Sequence, residues 1–230
     1  MPRRNCAVYA AITVLGILII VWLVQFANVA DHYRLDPEFG IRPHLVSSLP
    51  DILSAPFLHR SWTHIEGNSG PLIVLGFLAA FRSLAKFVAV TAVVMLTSGL
   101  AVWLTAPAGS VTVGASGVIF GWFGYVMVRG FFDHRVSDMV IGVLVALYYL
   151  SVFVLLLPAP GLSWQGHLGG LLGGILCGWA LRNREPRAGT GDAAPAAPGR
   201  PGRPSPPHQV EQELAALRRQ ARRAPREDRQ

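Results

Sequence analysis

The stretch Gly114-Ala115-Ser116-Gly117-Val118-Ile119-Phe120-Gly121-Trp122-Phe123-Gly124 sets a single hydroxyl among small residues and opens an apolar run long enough to enter a bilayer. Read alone, Ser116 is either a site where helices pack closely or a nucleophile. The decision rests on what the other apolar runs bring to the same depth.

The chain has 230 residues, 52% hydrophobic and only 14% charged, and its apolar residues fall in runs rather than being scattered. Several runs approach the length that crosses a hydrocarbon core of about 30 Å. This composition excludes an ordinary soluble domain and indicates an all-α polytopic membrane protein. The net charge of +7 is almost wholly arginine, Lys86 being the one lysine. These charges sit at the chain ends and in short loops, where they act as topology signals rather than as a nucleic-acid-binding face. Cys6 and Cys177 supply neither a disulfide framework nor metal-ligand spacing.

The sequence holds six candidate spans, at about 7–29, 66–82, 87–104, 115–130, 139–157 and 163–181. Arg3 and Arg4 precede the first, which is too long for the apolar core of a signal peptide. Basic residues recur at 82–86, 129–135 and 182–187, whereas the links at 105–112 and 158–162 carry none. The charge bias places the N- and C-termini in the cytoplasm and the remaining links outside. The loop at 31–62 holds four prolines among apolar residues, and this predicts a segment that docks on the membrane surface. The predicted organisation is a six-helix membrane domain over 1–186 and a Pro/Ala/Arg-rich, mostly disordered cytoplasmic tail over 187–230. Val210 to Arg223 could form a short helix within that tail.

Topology brings polar side chains from three spans to one level. Ser116 lies at the outer end of the fourth, His64 and Asn68 at the outer start of the second, and His167 just inside the sixth. Polar groups inside spans are costly and face a bundle interior or a water-filled cavity. Imidazole is the base that a serine nucleophile needs. His64 and Asn68, four residues apart, share a helix face and can donate to an oxyanion, together with the backbone N–H of Ser116. No span carries an acidic residue in its outer half, apart from Glu66 at the lip. The pattern therefore predicts a Ser116–His167 dyad, with Tyr148, Tyr149 or a backbone group holding the ring. The glycine ridges of the sixth span, Gly166-Gly170-Gly174-Gly178 and Gly169-Gly173, are packing surfaces, and Gly117, Gly121 and Gly124 of the fourth are their natural partners.

With these motifs in this order the sequence resembles the rhomboid family of intramembrane serine proteases. Phe57-x-His59-x4-His64-x3-Asn68 is similar to the signature that opens the family's second helix. Gly114-Ala115-Ser116-Gly117 is similar to its nucleophile motif, and His167-x2-Gly170-x3-Gly174 to the histidine-glycine motif of its sixth helix. The resemblance covers about residues 7–185. The Trp-Arg pair common in the family's long loop is missing, as is the acidic residue that often follows its second helix.

The resemblance implies a six-transmembrane-helix rhomboid-like bundle in the cell membrane that cleaves transmembrane segments of other proteins near the outer surface. Ser116 would be the nucleophile and His167 the general base, with His64, Asn68 and the Ser116 amide as oxyanion hole. His59, Gly114, Gly117, Gly170 and Gly174 would be structural. No metal or cofactor is implied; the partners are transmembrane substrates and the lipid bilayer. The alternative is a non-catalytic rhomboid-like protein that binds and controls membrane clients, and the intact dyad speaks against it. A small transporter is disfavoured by the lack of an inverted repeat or intramembrane carboxylates.

Overall fold

A computed structural model of the chain describes residues 3–159 and 161–183, together with Ala215 and Arg218. The chain divides into two units, Met1–Arg184 and Glu185–Gln230. The helix expected over 210–223 lies outside the described residues, save for Ala215 and Arg218, both helical. The first unit contains all six expected spans and every motif residue.

Among the described residues the regular structure is helical: α1 (Arg3–Ala30), α2 (Leu35–Phe39), α3 (Asp51–Ser54), α4 (Trp62–Ala80), α5 (Leu84–Thr105), α6 (Ser116–Phe132), α7 (Val136–Tyr148) and α8 (Trp164–Ala180). Short 3₁₀ segments occupy Val46–Ser48, Ala55–Phe57 and Leu150–Leu156. Among the described residues two helical stretches are long and apolar enough to cross a membrane, Cys6–Ala30 and Leu84–Thr105, with mean hydropathies of 2.7 and 2.2. The helices Ser116–Phe132 and Val136–Tyr148 are apolar and shorter.

Two expected boundaries move. The second helix begins at Trp62 rather than 66, because Ser61 caps it: its Oγ accepts from the backbone N–H of His64 at 3.1 Å. The fifth run stays α-helical only to Tyr148 and then narrows to the 3₁₀ segment. Aromatic and β-branched residues crowd the sequence there (Tyr148, Tyr149, Val152, Phe153, Val154), and such side chains lose rotamer freedom in an α-helix.

The outer helices are apolar outside and polar inside. In α1, Ile12, Leu15, Ile19 and Leu23 are at least half exposed, whereas Gln25 and Asn28 are fully buried. That inversion suits hydrocarbon surroundings. Helix α6 is the centre of the bundle, enclosed on most sides: Val118, Ile119, Phe120, Trp122, Phe123 and Val126 are all buried.

Glycines bring α8 against α6 backbone to backbone. A Cβ on Gly170 would strike the carbonyl of Gly117, and one on Gly174 the carbonyl of Gly121. The second ridge of α8 turns the other way: a Cβ on Gly169 or Gly173 would run into Thr97 of α5. Thus α8 is wedged between α5 and α6 at a distance only glycine permits.

The end of the bundle farthest from Ser116 is closed by polar clasps. Arg82 Nη2 meets Asp138 Oδ1 at 2.7 Å, and the buried Arg129 approaches the same carboxylate at 3.7 Å. Lys86 Nζ donates to the carbonyl of Leu181 at 2.6 Å, near the end of α8.

The long loop is structured and tied to the segment before α6. Ile41 and Thr112 exchange backbone hydrogen bonds at 3.0 and 2.9 Å in an isolated antiparallel bridge. The Gly114 N–H donates to the carbonyl of Ala55 at 2.9 Å, and Trp103 Nε1 donates to that of Leu45 at 2.9 Å.

Candidate active site

Ser116 is the first residue of α6, with Ala115 as its cap. The first amides of a helix lack intrahelical acceptors and carry its positive dipole end. The chain reaches this position through Gly114, whose φ of +125° is left-handed backbone. A Cβ there would also lie 2.7 Å from His64 Cε1. Both the backbone angle and the neighbour require glycine.

His167, three residues into α8, is 3% exposed. Its Nε2 is 2.9 Å from Ser116 Oγ, and its Nδ1 is 2.9 Å from the carbonyl oxygen of Leu155. A carbonyl can only accept, so Nδ1 carries the proton and Nε2 presents its lone pair to the serine hydroxyl. Ser116 then donates to Nε2, the polarity that proton abstraction requires. The ring is further fixed by stacking on Phe120, with centroids 4.5 Å apart and planes at 18°. Tyr148 is largely exposed, and no hydrogen bond joins it or Tyr149 to the imidazole, so the orienting group is the backbone of the 3₁₀ segment.

The remaining motif residues divide into two groups. His64 lines an open cleft of about 860 Å³ together with Ser116 and His167. Asn68 does not line that cleft; its Nδ2 donates to His59 Nε2 at 3.0 Å. His59 is fully buried, and its Nε2 also accepts from the N–H of Ala115 at 3.4 Å. Burial, reinforced by the neighbouring His64, lowers the His59 pKa to about 3, so the ring stays neutral. His59 thereby couples α4 to the residue before Ser116. The carbonyl of His59 in turn meets Asn28 Nδ2 of α1 at 3.4 Å.

Beside the dyad lies a second, small cavity of about 30 Å³, lined by Ser98, Gly117, Ser163 and Gly166 as well as Ser116 and His167. Ser98 Oγ donates to the carbonyl of Gly166 at 2.9 Å. Sequence reasoning did not single out Phe120, Leu155 or Ser98. Phe120 carried a usable signal, since it stands one helical turn after Ser116 and shares its face. Leu155 carried none, because a backbone carbonyl has no sequence signature.

The Rhomboid domain family model matches residues 47–184. The chain belongs to the rhomboid family. The match spans α3 to α8 and includes His59, His64, Asn68, Ser116 and His167. Rhomboid family proteins are membrane proteins, in keeping with the apolar helices of this chain. Among similar proteins, the uncharacterized protein Rv1337 of Mycobacterium tuberculosis is 36% identical over 195 residues, 81% of either chain. The uncharacterized protein ML1171 of Mycobacterium leprae is 36% identical over 192 residues, 80% of this chain and 76% of its own. A Bacillus subtilis protein named "Putative rhomboid protease YdcA" is 28% identical over 142 residues, 59% of this rhomboid chain and 69% of that protein.

Proposed function

We propose that this rhomboid is an intramembrane serine endopeptidase that cleaves transmembrane segments of other proteins with a Ser116–His167 dyad. The observation that carries the reading is the relay Leu155 carbonyl, His167, Ser116, with 2.9 Å at each step and the imidazole held in the tautomer that accepts a proton from serine.

In this mechanism Ser116 Oγ attacks the scissile carbonyl as its proton passes to His167 Nε2. The tetrahedral oxyanion is held by the Ser116 N–H at the start of α6 and by His64. Asn68 does not line the cleft and gives its Nδ2 to His59, so it supports the site through His59 rather than by donating to the oxyanion. The imidazolium protonates the leaving amine; a water then gives a proton to Nε2 as its oxygen bonds the acyl carbon, and Nε2 returns that proton to Ser116 Oγ as the acyl–oxygen bond breaks. The small cavity favours a small side chain at the scissile residue. A substrate helix must unwind locally, because a helix shields its peptide bonds.

The working topology is six spans, α1 and α4 to α8, with the α7 span completed by its 3₁₀ extension, in the cell membrane with both termini cytoplasmic. The dyad then lies toward the outer surface. In a reporter assay with a single-pass substrate, Ser116→Ala and His167→Ala should each lower cleavage by at least about 10³-fold while the protein stays folded. Full activity in either variant sinks the proposal. Labelling of Ser116 by a fluorophosphonate, lost in His167→Ala, is the independent check.

A further inference from the structure

The cleft that holds Ser116 and His167 is electrostatically one-sided. Among the described residues that line it, Arg60 alone bears a formal charge, and none is a carboxylate. Arg60 is exposed and set between the fully buried His59 and Ser61, the cap of α4, so its backbone is well fixed. It makes no ion pair: among the described residues the ion pairs are Arg82–Asp138 and Arg129–Asp138. Asp36 lies within its electrostatic reach but is engaged by Asn28 Nδ2 at 2.8 Å. A permanent cation with a planar five-donor fork thus faces the space that a substrate strand must occupy.

We infer that Arg60 is a specificity-determining residue that reads an acidic side chain of the substrate beside the scissile bond. The inference rests on the protease reading above. An extended strand advances about 3.3 Å per residue, so three residues on either side of the bond sample about 10 Å each way of the cleft that Arg60 shares with Ser116. An anionic lipid headgroup would satisfy the same guanidinium, but a cleft shared with the nucleophile favours the polypeptide.

The test uses the full-length protein in zwitterionic vesicles and a single-pass reporter cut in a Ser116-dependent manner. Asp, Asn or Lys is placed singly at each of three positions on either side of the cleavage site. Wild type should cleave the best Asp reporter about fivefold faster in kcat/KM than its Lys counterpart, as a partly exposed ion pair allows. Arg60→Gln should erase the preference and Arg60→Glu reverse it, and added salt should shrink it. An Asp-to-Lys ratio unchanged in both variants overturns the inference; if Arg60→Glu is inactive, Arg60→Gln decides. A rate that follows the anionic lipid content and ignores reporter charge assigns Arg60 to headgroups and also overturns it. Cleavage with no charge dependence leaves the protease reading standing, whereas absence of any Ser116-dependent cleavage removes both.

Discussion

The carbonyl oxygen of Leu155 stands 2.9 Å from His167 Nδ1, on the edge of the ring opposite Ser116. The group that orients the imidazole is therefore main chain from the 3₁₀ segment after α7 and not a side chain. It follows that neither nearby tyrosine hydroxyl orients the base. Tyr148→Phe and Tyr149→Phe should keep kcat/KM on the reporter within about threefold of wild type, since no transition-state contact is removed. A hundredfold loss in either would show that a hydroxyl, not the carbonyl, sets the tautomer.

His59 makes stability fall in acid. Its folded pKa of about 3 lies below the ordinary value of 6.5, so between these limits the unfolded chain binds a proton that the folded chain refuses. The contribution is complete above pH 6.5 and drains away as pH falls toward 3. Thermal unfolding in detergent should show a melting temperature dropping from pH 7 to pH 4. His59→Gln, which cannot titrate but still offers an acceptor, should flatten that dependence by about one proton.

Glycine positions in the bundle should divide sharply. Gly174→Ala places a methyl against the Gly121 carbonyl, which cannot swing aside as a side chain can, so α8 must move off α6. A destabilisation of about 1–3 kcal/mol or more is expected, as for overpacking elsewhere. Gly16→Ala in α1 meets no atom within 4 Å and should be neutral or stabilising by up to about 1 kcal/mol. Denaturant or thermal unfolding in one detergent compares the two directly.

The clasp at the other end of the bundle yields an asymmetric pair of mutants. Asp138 is 2% exposed, and removing it strands the buried Arg129 without its counter-charge. Asp138→Ala should cost about 3–5 kcal/mol. Arg82→Ala removes a partner that is partly exposed and leaves Asp138 beside Arg129, so about 1 kcal/mol is expected. Equal losses would mean that the carboxylate, not the cation count, is being measured.

The proximity of Ser116 and His167 was legible because covalent spacing and burial act along the sequence: a lone serine and a lone histidine, each in an apolar run, have few bilayer-compatible places to go. Glycine ridges were legible for the same reason, since Gly170 and Gly174 at four-residue spacing fix a face. What escaped was settled by backbone or by tertiary choice. Leu155 acts through its carbonyl, and any residue type would supply one. Asn68 has two neighbours to choose from, and its bond to His59 comes from how α4 packs under Gly114, which i, i+4 spacing does not specify. The early start of α4 could have been read from Ser61 as a cap, three residues before His64.

The bridge between Ile41 and Thr112 couples the long loop mechanically to the approach to α6. Two residues past Thr112 the chain enters the left-handed turn at Gly114 that delivers Ser116, and Gly40 is packed so closely on Val111 and Val113 that no side chain fits between them. A displacement of the loop at Gly40 and Ile41 is thus passed to the backbone segment that leads into Ser116. The geometry around Ser116 is therefore tied to a part of the loop that lies outside the cleft.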